Sequence, residues 1–336
     1  MKKALLIGGL ILVLLLSATA LATYQWIFSS GTEEGDEVVV GIRPGTPARV
    51  IAEDLESKAV IDSSLAFRIY MRLSGINRDL KAGEYRLRTG MGFADLVELL
   101  KKGPEIEFIK VTIPEGFTLD QTSERVGEAT HITKEEFLAA ASFVTARPKG
   151  FEAPPETSLE GFLYPQTYFL TEREDAAALV RRMVTQFDQE TQDVDWSRAS
   201  SFSLSPYQVV VVASLIEEET KVDDERRKVS AVIHNRLRVG MKLEIDATVQ
   251  YITKKYEGQP LTESDLAIDS PYNTRKFAGI PPGPIASVRA GSVVAALDPE
   301  SIDALFYVLT PDCRTHLFTA DYGEFLAAKQ RLPSGC

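Results

Sequence analysis

The chain is poor in the residues that hold metals and staple small folds. In 336 residues it has two cysteines and three histidines. His131, His234 and His316 lie far apart and form neither an HExxH nor a Cys/His ligand pattern, so no metal and no cofactor are expected. Two cysteines, Cys313 and Cys336, are too few for a disulfide-built scaffold. An oxidising exterior would permit a bridge between them, although Cys336 is the terminal residue. Nothing beside either thiol marks it as a nucleophile. Positive charge is also short: 37 Lys and Arg stand against 48 Asp and Glu, a formal net charge of −11. That surplus argues against a nucleic-acid backbone as partner, which needs clustered cations, and against broad electrostatic adhesion to anionic lipid. With 25% charged and 44% hydrophobic residues, the composition is that of a folded chain rather than a disordered tail.

One long hydrophobic run is present, and it lies at the N-terminus. After Met1, Lys2 and Lys3, an apolar stretch covers residues 4–23, and no charge appears until Glu33. A bilayer-spanning helix needs about 20 such residues, and Tyr24, Trp26 and Phe28 suit a membrane interface. The expectation is an uncleaved single-pass anchor over residues 4–28. The two lysines keep residues 1–3 in the cytoplasm and put the rest on the outer face of the cytoplasmic (inner) membrane. A cleaved signal peptide is the competing reading, because Ala18, Thr19 and Ala20 resemble a small-residue cleavage site. Both readings export the remainder. No cysteine closely follows the run, so lipoprotein anchoring is not indicated.

The remaining residues are enough for two or three compact domains. Residues 29–36, SSGTEEGD, form a polar spacer. Residues 37–103 alternate short strands and amphipathic helices, which predicts a small α+β module with a second strand near residues 82–87 and a helix near 93–101. The opening VVVGIRPGTPARVIAEDL recurs loosely as IKVTIPEGFTLDQTSERV at residues 109–126. Pro44 and Gly45 in the first copy match Pro114 and Gly116 in the second, and each copy is followed by an apolar helix containing Phe67 or Phe137. A partial internal repeat is one explanation and two chemically similar turns are the other. Residues 145–159 read as a loop or domain seam. LEGFLYPQTYFL, residues 159–170, gathers aromatics that suit either a sugar-stacking groove or, more commonly, core packing. An amphipathic helix carrying Ala176, Leu179, Met183 and Phe187 follows. A later helix starts near Asp223 or Asp224, turns Val229, Val232, Ile233 and Leu237 inward, and stops at Gly240. Beyond Gly240, LEIDATVQYI and SPYNTRKFAGIPPGPIASV read as loops that could rim a site. Then come a helix at 290–296, a hairpin of 305–309 with 316–319, and a short helix at 325–330.

The most informative stretch is SPYQVVVVASLIEEET, residues 205–220. Ser205 and Pro206 are a strong helix start. At about 100° per residue, the mean apolar direction of the Val-rich run lies roughly 50° from Glu219, about 105° from Glu217 and about 150° from Glu218. Glu219 is thus the carboxylate expected to be half-buried, and Glu218 should be solvated. A desolvated Glu has a raised pKa and stays protonated near neutral pH, as a general acid on a glycosidic oxygen must. The bland reading of the three carboxylates is a surface ion-pair cluster with Lys221, Arg226 and Arg227.

The chain resembles the YceG-like endolytic murein transglycosylases. The resemblance runs from the N-terminal span through GIRPGT, LKAGEYRL, LEGFLYPQTY, ASLIEEET, DERRKVSAVIHNRL, DATVQY, SPYNT, GIPPGPI and THLFTADYGEFLAA, in the family's order. It implies an α+β protein: the N-terminal transmembrane helix, a LysM-like module at 37–103, and a lysozyme-related catalytic domain at 104–336, with repeat and linker over 104–158 and the catalytic core over 159–336. The Glu before Thr in the ASxxExET segment is the family's catalytic acid, which here is Glu219. The implied reaction cuts between N-acetylmuramic acid and N-acetylglucosamine inside a peptidoglycan strand and leaves a 1,6-anhydromuramoyl end. One carboxyl suffices, first as acid and then as base toward the C6 hydroxyl. Peptidoglycan strands are the implied partner, with wall-synthesising polymerases and division proteins.

On matching motifs, Glu217, Glu160, Asp246, Tyr272 and Asn273 are the candidate substrate-binding residues. For Glu217 the alternative is an ion pair with Arg226 or a similar base; for Glu160 and Asp246 it is capping of loops or helices; for Tyr272 it is core packing. The chain departs from the family's usual pattern at Gln166, at Arg275 where an aromatic is common, and at Ala286, Ser287 and Val288. Two other readings remain open: an inactive membrane-tethered peptidoglycan-binding scaffold, and a hydrolytic muramidase with Asp246 as the second carboxylate.

Overall fold

The computed structural model describes residues 35–75, 80–104, 108–142, 146, 148–152, 157–256 and 259–333. The expected cytoplasmic stub 1–3, the anchor 4–28, most of the spacer 29–36 and Cys336 lie outside them. Among the described residues no single helix is long and apolar enough to cross a membrane. Segments Trp196–Phe202 and Pro206–Glu219 reach that length and composition only together, bent by 84°, and the apolar residues of the second are buried. The secondary structure is mixed α and β, as the α+β expectation requires.

The chain divides into two compact units, one running to Ile109 and including Phe169–Arg173, the other comprising Lys110–Tyr168 and Glu174 onward. In the first unit Phe108 meets Phe169 with ring centroids 6.5 Å apart.

In the first unit, β1 (Glu37–Ile42) pairs antiparallel with β2 (Gly83–Arg88), Val40 opposite Tyr85 and Val38 opposite Leu87. Side chains alternate across a strand, so Val40, Ile42, Tyr85 and Leu87 all turn to one buried face. Helices Ala48–Ser57, Ser64–Leu73 and Phe93–Lys102 cover that face with Leu55, Phe67, Met71, Leu96 and Leu100. Ser63 caps the second of these, its Oγ accepting from the Ala66 N–H at 3.3 Å.

The second unit opens with the same local sequence of events. β3 (Ile109–Thr112), which like β4 (Thr167–Leu170) runs across the division, leads through a turn into helices Leu119–Ala129 and Lys134–Ala140. Phe137 is fully buried on the last of these, as Phe67 is on its counterpart. Gly45 and Gly116 both sit at positive φ, +79° and +71°, a conformation that glycine adopts without Cβ strain. That shared turn geometry fits the partial repeat. Thr118 with Gln121 and Thr133 with Glu136 form reciprocal capping boxes that start the two helices.

Phe162 and Tyr168 of LEGFLYPQTYFL pack as core, and Tyr164 and Phe169 are half-buried. Phe162 meets Phe151 at 5.1 Å, Phe187 at 5.2 Å and Tyr207 at 6.0 Å, which leaves Phe162 no surface for a sugar. Helix Ala176–Glu190 buries the predicted stripe of Ala176, Leu179, Met183 and Phe187. Helix Arg226–Arg238 follows a short turn at Asp223–Glu225 and buries Val229, Val232 and Ile233. The closing hairpin is β5 (Phe306–Leu309) with β6 (His316–Thr319), Tyr307 opposite Phe318 and Leu309 opposite His316. One segment departs from expectation: DATVQYIT is a helix, Asp246–Thr253. Its two turns are too short to display a helical period against β-branched and aromatic residues. It holds through tertiary bonds, with Thr248 Oγ1 3.0 Å from Thr274 Oγ1 and the Ile245 N–H donating to that same oxygen at 3.0 Å.

Candidate active site

The central helix Pro206–Glu219 starts with a capping box, in which Ser205 Oγ accepts from the Gln208 N–H and the Gln208 side chain accepts from the Ser205 N–H. Val209 through Ile216 are all fully buried. The helix is therefore apolar all the way round, as an interior helix is, and its mean apolar direction is a weaker guide than the sequence pattern implied. Glu218 is exposed and Glu219 half-buried, as helical geometry expects, but Glu217 is buried more deeply than Glu219.

Glu217 is held on one side of the helix end. Its Oε1 accepts from Arg289 Nε at 2.9 Å and lies 3.5 Å from Arg226 Nη1, while Oε2 accepts from Ser292 Oγ at 2.6 Å and from the Arg289 N–H at 3.2 Å. Arg226 Nη1 also donates to Ser292 Oγ at 2.6 Å. Every carboxylate lone pair has a use in fastening the helix to the start of helix Ala290–Leu297.

Glu219 points elsewhere, into a pocket of about 300 Å³ that it shares with Arg236, Asp246, Arg275, Tyr307 and Lys329. Tyr307 Oη donates to Glu219 Oε2 at 2.7 Å. Burial pushes the Glu219 carboxyl above the usual range. The Tyr307 hydrogen bond, His316 and Arg236 oppose the shift, and the Asp246 charge adds to it. The Tyr307 phenol is itself pushed well above its ordinary value by burial and by Glu219, so it remains a donor. Asp246 begins helix Asp246–Thr253 and is ion-paired with Arg275 Nε.

The hairpin that carries Tyr307 is fixed from two sides. Glu225, buried just beyond the central helix, accepts from the His316 N–H at 2.8 Å and lies 2.7 Å from His316 Nδ1. The His316 ring then meets Tyr307 edge to face, centroids 5.6 Å apart. Arg236 donates from Nε to the Leu305 carbonyl at 2.6 Å and from Nη1 to the Leu243 carbonyl at 2.7 Å, with its guanidinium over the Phe306 ring.

Of the six site residues expected from sequence, Glu219 and Asp246 line this pocket and the other four do not. Glu160, fully buried, accepts from the Leu119 N–H with both oxygens, at 2.9 and 3.0 Å, and so caps helix Leu119–Ala129. Burial pushes its pKa up to about 7 against the Leu119, Tyr251 and Gly161 hydrogen bonds. Tyr272 is half-buried with its ring 5.2 Å from Tyr251. Asn273 is fully buried, donating to the Leu266 and Ile268 carbonyls at 3.0 and 2.9 Å and accepting from the Arg275 N–H at 3.0 Å. It holds the loop rather than facing a ligand. Sequence reasoning missed Tyr307 and Arg236. Tyr307 stands 88 positions from Glu219 in an ordinary hairpin strand, and nothing local marks it. Among the described residues no group of His, Cys, Asp and Glu could hold a metal ion.

The YceG-like family model matches residues 40–331 of the chain. The endolytic murein transglycosylase of Bacillus subtilis (strain 168) is 30% identical over 310 residues, 88% of this chain and 84% of that protein. The endolytic murein transglycosylase of Streptococcus pneumoniae (strain ATCC BAA-255 / R6) is 30% identical over 337 residues, 91% of this chain. The match spans only 61% of the streptococcal protein's length. The crystal structure of a yceG-like protein from Listeria monocytogenes superimposes with a TM-score of 0.57 at 28% identity, over 88% of this chain and 99% of that one.

Glu160 makes the fold sensitive to pH. Its folded pKa, about 7, lies above the value of 4.5 expected unfolded, so the folded state binds the extra proton between the two. Its contribution is full below about pH 4.5 and is lost as pH rises through about 7, on the order of 3 kcal/mol. Glu160→Gln should remove that slope. Urea midpoints measured from pH 4.5 to 8 should fall for the wild type relative to the variant, and parallel curves would refute the assignment.

Proposed function

This chain belongs to the YceG-like family, and from that premise we propose that it is a membrane-anchored endolytic lytic transglycosylase of peptidoglycan. It cleaves the bond between N-acetylmuramic acid and N-acetylglucosamine within nascent strands and leaves 1,6-anhydromuramoyl ends. The observation that carries the reading is Glu219: a half-buried carboxyl, raised in pKa, opening into a pocket with one oxygen held by Tyr307. The resemblance of the surrounding motifs, and the names of the bacillar and streptococcal relatives, support the same reaction.

The protonated Glu219 delivers its proton to the glycosidic oxygen as the bond to C1 breaks. The carboxylate so formed takes the proton of the C6 hydroxyl as that oxygen attacks C1 and closes the anhydro ring. No water enters the products. Tyr307 occupies Oε2 through both steps, which leaves Oε1 for the substrate and stabilises the carboxylate between them. The strand, two helices and strand of the first unit support a LysM-like glycan-binding role for residues 37–103. The apolar run over residues 4–28 supports a single-pass anchor in the cytoplasmic membrane with both units outside.

A hydrolytic muramidase keeps one observation in its favour, since Asp246 lines the same pocket. A hydrolase of this kind ordinarily needs a second carboxylate to activate water or act as nucleophile.

Mass spectrometry of uncrosslinked strands incubated with the protein separates these readings. Anhydro ends are expected from the wild type and none from Glu219→Gln; reducing ends would establish hydrolysis instead, and no product from folded, glycan-binding wild type would leave the scaffold. Tyr307→Phe should lower kcat about 10- to 100-fold by freeing the carboxyl. It should also move the alkaline limb of the kcat/KM profile upward, because the lost hydrogen bond had lowered the Glu219 pKa; an unmoved limb would count against this role. The full chain should remain in carbonate-washed membranes, and a chain beginning at residue 35 should not. Release of the full chain by carbonate would rule out the anchor.

A further inference from the structure

The pocket around Glu219 gathers cations in an acidic protein. Its ionisable lining is Arg236, Arg275 and Lys329 with Glu219, Glu244 and Asp246, three cations to three carboxylates, whereas the whole chain has a formal net charge of −11. Arg236 is consumed internally, bonded to the Leu305 and Leu243 carbonyls and lying 3.6 Å from Glu244. Arg275 is not. Its Nε goes to Asp246, and among the described residues its two terminal nitrogens take no hydrogen bond. Lys329, from helix Tyr322–Gln330, has no ion pair among the described residues.

The backbone beneath Arg275 is rigidly held. Asn273 and Thr274 are buried, and Asn273 Oδ1 accepts from the Arg275 N–H at 3.0 Å. The Thr274 carbonyl accepts from the Glu244 N–H at 3.1 Å, tying the loop to the approach of helix Asp246–Thr253. Asp246 then fixes one edge of the guanidinium. The remaining fork of N–H donors, half-exposed in the pocket, has the planar geometry that fits a carboxylate.

We propose that Arg275, with Lys329 beside the same pocket, forms an anion subsite that takes a carboxylate carried by the glycan substrate. The inference rests on the reading of the pocket as a glycan-cleaving site. Peptidoglycan offers that chemistry from two sources: the lactyl group of muramic acid where no peptide is attached, and the free carboxyls of the stem peptide where one is. The sugar backbone is otherwise uncharged, so a carboxylate is the feature that this fork distinguishes. An anion held there would also favour the protonated form of Glu219, the form that begins the reaction.

The test is calorimetric affinity of the full-length Glu219→Gln protein, which leaves the strands uncut, for four strands of one length. These are peptide-free strands with the lactyl carboxylate, the same strands as lactyl amides, peptide-bearing strands, and peptide-bearing strands with every carboxyl converted to an amide. At least one carboxylate strand should bind about tenfold more tightly than its amide, and the pair that differs identifies the source. Adding Arg275→Gln should collapse that ratio to about one, with Arg275→Lys between the two. Equal affinities within both pairs, or a preference that survives Arg275→Gln, would overturn this inference alone. No binding of any strand would overturn it together with the glycan reading. Circular dichroism of each variant controls for folding; Asp246, which loses its partner, is half-exposed and tolerates the loss.

Discussion

An interior helix that ends in three carboxylates must find each of them a place, and the second unit is organised around that constraint. Helix Pro206–Glu219 is buried along almost its whole length, so its last turn cannot dissolve into solvent. Glu217, with a side-chain exposure of 3%, is satisfied by Arg226, Arg289 and Ser292. Glu218 turns outward. Glu219 is left with one tyrosine hydroxyl and a pocket. The two buried-side carboxylates differ in the number of donors facing them. Three contacts to cationic and hydroxyl groups and one to the Arg289 backbone N–H hold Glu217 in an ionic lock whose disruption would cost about 3–5 kcal/mol. Desolvation with a single neutral donor leaves Glu219 able to exchange a proton.

The pocket's other wall is built by long-range fastening. Glu225, directly after the central helix, grips both the backbone and the ring of His316, and Arg236 of the next helix grips the Leu305 carbonyl. These bonds bring the hairpin from the end of the chain against Glu219 and set Tyr307 at hydrogen-bond distance. They are buried or half-buried, and so stronger than exposed pairs such as Arg49 with Glu53, which are worth about 0–1 kcal/mol. The rim residues work differently. Asp246 and Arg275 pair where both are partly exposed, so water weakens their attraction.

Local chemistry made much of this legible. The capping boxes at Thr118, Thr133 and Ser205, the inward stripe of Ala176, Leu179, Met183 and Phe187, and the closing hairpin all follow from nearest-neighbour signals that survive in the fold. Glu219 was also reachable, because helical rotation put it near the apolar side. Glu217 and Glu160 came from the matching motifs as substrate-binding candidates, each with a structural alternative, and the structure shows the contacts of those alternatives: an ion pair with Arg226 for Glu217 and a helix cap for Glu160. The central helix is surrounded by other helices, so its own apolar direction says little about which carboxylate is deepest, and Glu160 is buried because the start of another helix needs its oxygens. The short helix at Asp246 was missed because its hold is tertiary, through Thr248 and Thr274.

The sequence by itself determined most of the elements, the turn glycines, the carboxylate-ended helix and, through its ordered motifs, the family to which the chain belongs. Those are properties of neighbouring residues, and the physics of caps, periodicity and positive-φ turns acts within a few positions. The tertiary structure decided which carboxylate is locked and which is free, that Tyr307 holds Glu219 from 88 positions away, and that Arg275 stands in the same pocket. Burial and electrostatic partnership depend on what lies across space. No spacing along the chain encodes which distant donor will arrive.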